Sequence, residues 1–199
     1  TIPATIEAGT DYRVRVVSSS HIKGNDNGTN IAIKTMPSVV ADGVSAVCEG
    51  SLLHLYVTTV DQADYSWTGP NSFSASSREL FIPDMAIANA GTYTATVTKN
   101  GCSASSSIVV TLNPAPAATV GNSRTICAGT SITLGTSSVP GHTYWWTSNQ
   151  SGFFFFDGNP TVTPTATTTY TLRETIIATG CEKTSSVTIT VNSALASPT

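Results

Sequence analysis

The four cysteines are the side chains in this sequence best able to do chemistry, and their spacing is regular. Cys48 and Cys102 are 54 positions apart, Cys127 and Cys181 are 54 positions apart, and the second pair follows the first by 79. Cysteine can hold zinc, act as a nucleophile or close a disulfide. A zinc site lacks its ligand set here, because no Cys-x-x-Cys and no clustered His accompanies the cysteines. Cys48, Cys102, Cys127 and Cys181 therefore read as disulfide residues, which belong to oxidising compartments.

Other candidate groups are sparse. His21, His54 and His142 lie in no nucleophile or metal motif and read as solvated surface imidazoles. Asp61 and Asp64 share one turn and Glu79 and Asp84 another, but nothing holds two carboxylates at the fixed distance a glycosidase acid and base require. Asn25-Asp26-Asn27 offers oxygen atoms to Ca²⁺. Only one of the three is charged, though, and Gly28 beside them suits an ordinary tight turn. No catalytic, cofactor or metal residue is assigned. The remaining candidates are aromatic: Trp145 and the run Phe153-Phe154-Phe155-Phe156. On a strand, alternate side chains face opposite sides, so two of the four Phe rings are expected outside the core. Trp145 is expected outside as well. Together they are the candidate partner-binding surface, for a protein chain or a sugar ring.

Composition narrows the function classes. Of 199 residues, 40% are hydrophobic and 11% charged, with nine basic against twelve acidic side chains. That balance carries no nucleic-acid footprint. Disorder is disfavoured by the hydrophobic content and the net charge of −3. No apolar run approaches the roughly 18–20 residues that span a bilayer, so no membrane insertion is expected. The opening has neither an initiating Met nor a signal-type apolar stretch, and reads as a mature segment or a fragment.

These groups are positioned by a repeated β unit. Cys48-Glu49-Gly50 returns as Cys127-Ala128-Gly129, Tyr65-Ser66-Trp67-Thr68 as Tyr144-Trp145-Trp146-Thr147, and Gly101-Cys102 as Gly180-Cys181, all shifted by 79. A fixed period means one structural unit used twice. Within each unit the apolar period is two: Leu53, Leu55 and Val57 alternate with His54 and Tyr56, and Val187, Ile189 and Val191 with Thr188 and Thr190. This is the pattern of half-buried antiparallel strands. No segment sustains a helical stripe, apart from one short turn within Asp84–Ala90. Trp67 and Trp146 each follow the first Cys of their unit by 19 residues. Both are predicted to fill the space between two sheets, with Tyr93 and Tyr170 as further core residues.

Cys-x-Gly, Tyr-x-Trp, a Thr-Tyr-Thr strand, Gly-Cys and a Val/Thr strand together resemble the Ig-like and PKD-like repeats of Bacteroidetes secreted and cell-surface proteins. Pro160–Leu172 is similar to a hallmark of that group. The resemblance spans roughly residues 37–192 and implies an all-β fold of two tandem immunoglobulin-like sandwiches, 37–113 and 114–193, with a tail at 194–199. Asn89–Ala95 resembles an immunoglobulin tyrosine corner, and the corresponding Thr169-Tyr170-Thr171 is displaced by two residues. Residues 1–36 read as the last two strands of an incomplete sandwich, Tyr12–Val17 and Ile31–Lys34, around a turn-rich Lys23–Thr29. Open sheet edges there invite strand addition from another chain.

Two cysteine pairings remain open. Equal spacing predicts Cys48–Cys102 and Cys127–Cys181, each closing about 55 residues and contributing ~4 kcal/mol in the chain-entropy model. In a plain immunoglobulin arrangement, however, those partners stand at opposite ends of the sandwich. The alternative joins Cys48 to Cys181. The resemblance implies a non-catalytic, extracellular structural or adhesive module, its partners being other chains or domains of the same surface assembly. A carbohydrate-binding module beside a polysaccharide-degrading enzyme is the alternative.

Overall fold

Residues 6–17, 23–26 and 28–192 are described in the computed structural model. His21, Asn27 and the 194–199 tail fall outside them. In chain order the strands are β1 (Gly9–Tyr12), β2 (Arg15–Val17), β3 (Lys23–Asp26), β4 (Ile31–Ile33), β5 (Ala41–Gly43), β6 (Ala46–Cys48), β7 (Leu53–Val57), β8 (Asp64–Gly69), β9 (Phe73–Ala75) and β10 (Glu79–Ile82). They continue as β11 (Gly91–Lys99), β12 (Cys102–Asn113), β13 (Arg124–Cys127), β14 (Ile132–Thr133), β15 (His142–Ser148), β16 (Phe154–Phe155), β17 (Thr161–Val162), β18 (Thr168–Ile176) and β19 (Glu182–Asn192). Two single 3-10 turns, Pro70–Ser72 and Ile87–Asn89, are the helical content of the described residues. The fold is all-β.

Two compact units emerge from the contacts. The first comprises Thr1–Ser45, Leu53–Ile82 and Ala88–Val110; the second comprises Ala46–Leu52, Pro83–Ile87 and Thr111–Thr199. In the first, the sheet β10-β7-β5 faces the strands β12-β11-β8-β9. Strand alternation puts Leu53, Leu55 and Val57 inside with Trp67, Leu80, Tyr93, Ala95 and Val97. The Tyr93 hydroxyl donates to Asn89 O at 2.7 Å, which closes the tyrosine corner. The Tyr65 hydroxyl both accepts from Val60 N–H and donates to Val60 O, each at 2.8 Å.

The segment before residue 37 is more broken than its residue pattern suggests. Tyr12–Val17 is not one strand: β1 pairs with β4, and β2 pairs with β3, each as a two-stranded sheet. Lys23–Asp26 is itself a strand, not part of a turn. Both ladders shift register within three or four residues.

In the second unit, the sheet order β13-β19-β18-β15-β16 lies with the short pair β14-β17. Pro160 and Pro164 flank β17 and remove backbone donors, which keeps that pair short. Leu134, Tyr144, Trp146, Val162, Tyr170, Leu172, Val187 and Ile189 form the core. Gly135, at φ +66°, allows a close approach: a Cβ there would lie 2.1 Å from Gly158 O and 2.9 Å from the Trp146 ring. The displaced tyrosine also has a physical account. Tyr93 pairs with Ile108 and Tyr170 with Val187, so the strands keep register. The two additional residues sit in the hairpin loop, where Ile177–Gly180 stands in place of the tight Asn100-Gly101 turn.

The cysteines correct the prediction from equal spacing. Cys48 is bonded to Cys181, with Cα atoms 5.4 Å apart, while Cys102 and Cys127 are free. Strand length is the reason. Cys48 pairs with Asn113 at the end of β12, whereas Cys102 opens that strand. At about 3.4 Å per residue, the unbroken β12 holds Cys102 far outside the roughly 7 Å that a disulfide spans. Cys127 pairs with Asn192 at the end of β19, and Cys181 immediately precedes that strand, so the same obstacle applies.

Two histidines also depart from the solvated reading. His142 Nδ1 lies 2.6 Å from Glu174 Oε1, and Glu174 is buried, accepting a second bond from Ala118 N–H at 2.7 Å. His54 stacks on Phe81 with ring centroids 4.3 Å apart. Its Nε2 is 3.4 Å from Glu79 but makes no aligned hydrogen bond.

Candidate functional site

Adjacent tryptophans are separated by the pleat of β15. Trp146 points inward and is fully buried, with its Nε1–H donating to Asp157 O at 3.0 Å. Trp145 points outward and is 46% exposed. The Asp157 carboxylate accepts from the Ser138 hydroxyl and from Gly158 N–H, and these bonds hold its pKa below the ordinary aspartate range. Burial raises the pKa of Tyr170, and burial is also the largest of the influences raising that of Tyr144.

Register places an ordered set of groups around Trp145. Arg173 is its neighbour on β18 and Thr184 the next on β19. The Arg173 guanidinium stands 5.5 Å from the Trp145 ring centre and pairs with Glu182 at 3.1 Å. The adjoining row is Thr147, Thr171 and Ser186, with Thr171 and Ser186 hydroxyls 2.9 Å apart. Trp145, Thr147, Thr171, Arg173 and Thr184 line a shallow depression of about 210 Å³. At the sheet edge Thr147 pairs with Phe154, whose ring lies 5.9 Å from that of Phe156.

Three Phe rings are exposed, where alternation predicts two outside. Phe154, Phe155 and Phe156 face solvent because β16 is an edge strand of two residues, and Phe156 has already left it. Phe153 departs from the candidate surface: it packs edge-on against Tyr170 at 5.1 Å, at the margin of the core. It also lines a second hollow, of about 280 Å³, with Ser148, Gln150 and Tyr170. Of the other core candidates, Trp67, Tyr93 and Tyr170 are buried.

The equivalent face in the first unit carries no such platform. Ser66 stands where the second unit has Trp145, and a hydroxyl ladder covers β11 and β12: Thr94–Ser107 at 2.9 Å, Thr96–Ser105 at 2.8 Å and Thr98–Ser103 at 2.8 Å. Arg173, Thr171 and Thr184 were not singled out from sequence. The outward parity of Thr171 and Arg173 in Tyr170–Glu174 is the available signal, as is the inward parity of the charged Glu174. Among the described residues, no group of three or more His, Cys, Asp or Glu is placed to hold a metal ion. Exposed indole and phenyl faces beside hydroxyls and a guanidinium suit stacking and hydrogen bonding.

This fold defines a class, the immunoglobulin-like β-sandwich. Residues 113–193 match the family model described as Ig-like domain, CHU_C associated. Solved structures that the chain matches include murine CEACAM1b, at 13% identity and TM-score 0.35, covering 79% of this chain and 100% of that one. The Ig-like domain of human leucine-rich repeat-containing protein 4 is 20% identical, with TM-score 0.36, over 42% of this chain and 94% of that one. The titin domains z1z2, solved in complex with telethonin, are 16% identical, with TM-score 0.32, over 81% and 100%.

Proposed function

We propose that this chain is a non-catalytic structural module of an exported bacterial surface protein of the Bacteroidetes type, acting as a rigid stalk or assembly unit whose partners are chains or domains of the same assembly. The Cys48–Cys181 bond within Ig-like sandwiches carries this reading, because such bonds persist where thiols are not kept reduced. Asn113-Pro114-Ala115-Pro116 supports it, since each proline fixes φ and limits hinge motion. Ala115 N–H also donates to Glu49 Oε2 at 3.4 Å. No helix among the described residues is long and apolar enough to cross a membrane. Acid-quenched thiol trapping on intact source cells tests the proposal. After acid quench and denaturation Cys48 and Cys181 are expected to resist alkylation until reductant is added, and the lysines of the chain are expected to be modified on intact cells by an impermeant amine label. Alkylation of both without reductant overturns it.

A second reading, carbohydrate binding, is favoured by the exposed Trp145, which shares a face of the sheet with Phe154 and the threonine rows. The parent is then expected to sediment with insoluble polysaccharide, and Trp145→Ala with Phe154→Ala to weaken that binding about tenfold or more, as loss of a stacking anchor does. Absence of binding by the parent ends this reading.

A further inference from the structure

We propose that the end of the chain carrying Cys127 is a covalent docking end for a sandwich of this same kind, and that a second copy of this chain occupies it through a Cys127–Cys102 disulfide. The inference rests on the reading of the chain as an assembly unit and names its partner.

The bonded pair supplies the template. Cys48 belongs to the first 79-residue period and Cys181 to the second. Shifted forward by one period, Cys48 becomes Cys127; shifted back by one, Cys181 becomes Cys102. Those are the two cysteines left free. One staple is made, and the two halves of another are presented.

The half-site at Cys127 is already built. Around Cys48, Glu49 N–H donates to Asn113 O at 2.9 Å, Gly50 N–H to Met85 O at 2.8 Å and Ser51 N–H to Cys48 O at 3.1 Å. Around Cys127, Ala128 N–H donates to Asn192 O at 3.2 Å, Gly129 N–H to Pro164 O at 3.2 Å and Thr130 N–H to Cys127 O at 3.1 Å. Each bond is the counterpart of the other under the 79-residue shift. Gly50 and Gly129 share the left-handed backbone, at φ 78° and 79°. Cys102 likewise follows Gly101 at φ 80°, as Cys181 follows Gly180 at φ 73°, and each of the two precedes or opens a long strand.

Each free cysteine is more exposed than its bonded counterpart one period away. Cys181 is fully buried and Cys48 half-buried, whereas Cys102 is half-buried and Cys127 exposed. At the Cys102 turn, Lys34 Nζ donates to Asn100 O at 2.6 Å. This is an exposed contact, and its loss on docking is offset by water.

Bond formation requires a two-electron acceptor, which here is a small-molecule disulfide. The Cys127 thiolate attacks one of its sulfurs and expels a thiolate. The Cys102 thiolate of the second copy then attacks the Cys127 sulfur of the mixed disulfide and expels the second thiolate. One S–S bond forms in the protein, the oxidant's S–S bond breaks, and its two departing thiolates take up the two protons that the cysteines release, leaving as thiols. Joining unlike ends is heterologous, so growth is head to tail.

The test uses the full chain with Cys48–Cys181 intact, held at high concentration in a glutathione redox buffer. A non-reducing ladder is expected in steps of 20.6 kDa, with a Cys127–Cys102 peptide pair in its digest. Neither Cys127→Ser nor Cys102→Ser alone extends a ladder. Mixing the two variants yields a heterodimer that stops at two chains, because only one complementary pair of ends remains. A parent that stays monomeric with both thiols alkylatable overturns the docking end, as does cross-linking confined to Cys127–Cys127 or Cys102–Cys102. If Cys48–Cys181 is intact in those samples and in the native protein, that failure leaves the exported-module reading standing.

Discussion

Trp146→Ala is expected to destabilise the second sandwich severely and to lower its urea midpoint well below that of the parent. Removing a fully buried indole forfeits its transfer free energy and leaves a cavity, together about 3–5 kcal/mol. That is a large share of the roughly 5–15 kcal/mol by which a domain is stable. Asp157 O, which accepts the indole N–H at 3.0 Å, also loses its partner, and Gly135 no longer has a ring to pack against. Trp67→Ala is the matching change in the first unit, where Nε1–H donates to Ser77 O at 3.0 Å. Trp145→Ala is the control, because its ring lies outside the core; a change within about 0.5 kcal/mol is expected there. Urea unfolding followed by circular dichroism distinguishes them. Equal midpoints for Trp145→Ala and Trp146→Ala would contradict the inward and outward assignment of β15.

Cys48→Ser is expected to produce the second large effect. The bond joins residues separated by 133 positions, and closing so long a loop restricts the unfolded chain by about 5 kcal/mol in the chain-entropy model. Cys181 would also be left as a buried, unpaired thiol. Reductant should lower the unfolding midpoint of the parent and leave that of Cys48→Ser unchanged. Cys102→Ser and Cys127→Ser in the monomer should unfold like the parent, because neither thiol is bonded within the chain. If Cys102→Ser were instead as damaging as Cys48→Ser, the pairing within each period would be restored and the docking end would fall with it.

Strand parity was legible from residue order wherever apolar and polar residues alternate. Leu53-His54-Leu55-Tyr56-Val57 sorts its side chains correctly without reference to anything distant, because the pleat turns each residue through half a revolution. The same local rule separates Trp145 from Trp146. It does not reach Phe153–Phe156, because parity holds only while the strand lasts and β16 lasts for two residues. It also misses the His142–Glu174 pair, which forms because β15 and β18 bring residues 32 apart to 2.6 Å.

Residue order by itself determined that this is a β protein, that its pattern recurs after 79 positions, and which side of each regular strand is apolar. Those properties are set by nearest neighbours along the backbone and by a shift that can be counted. The tertiary structure decided which cysteines meet. Spacing treats Cys48–Cys102 and Cys127–Cys181 alike, but a disulfide responds to distance in space, and a straight β12 or β19 carries the members of each expected pair to opposite ends.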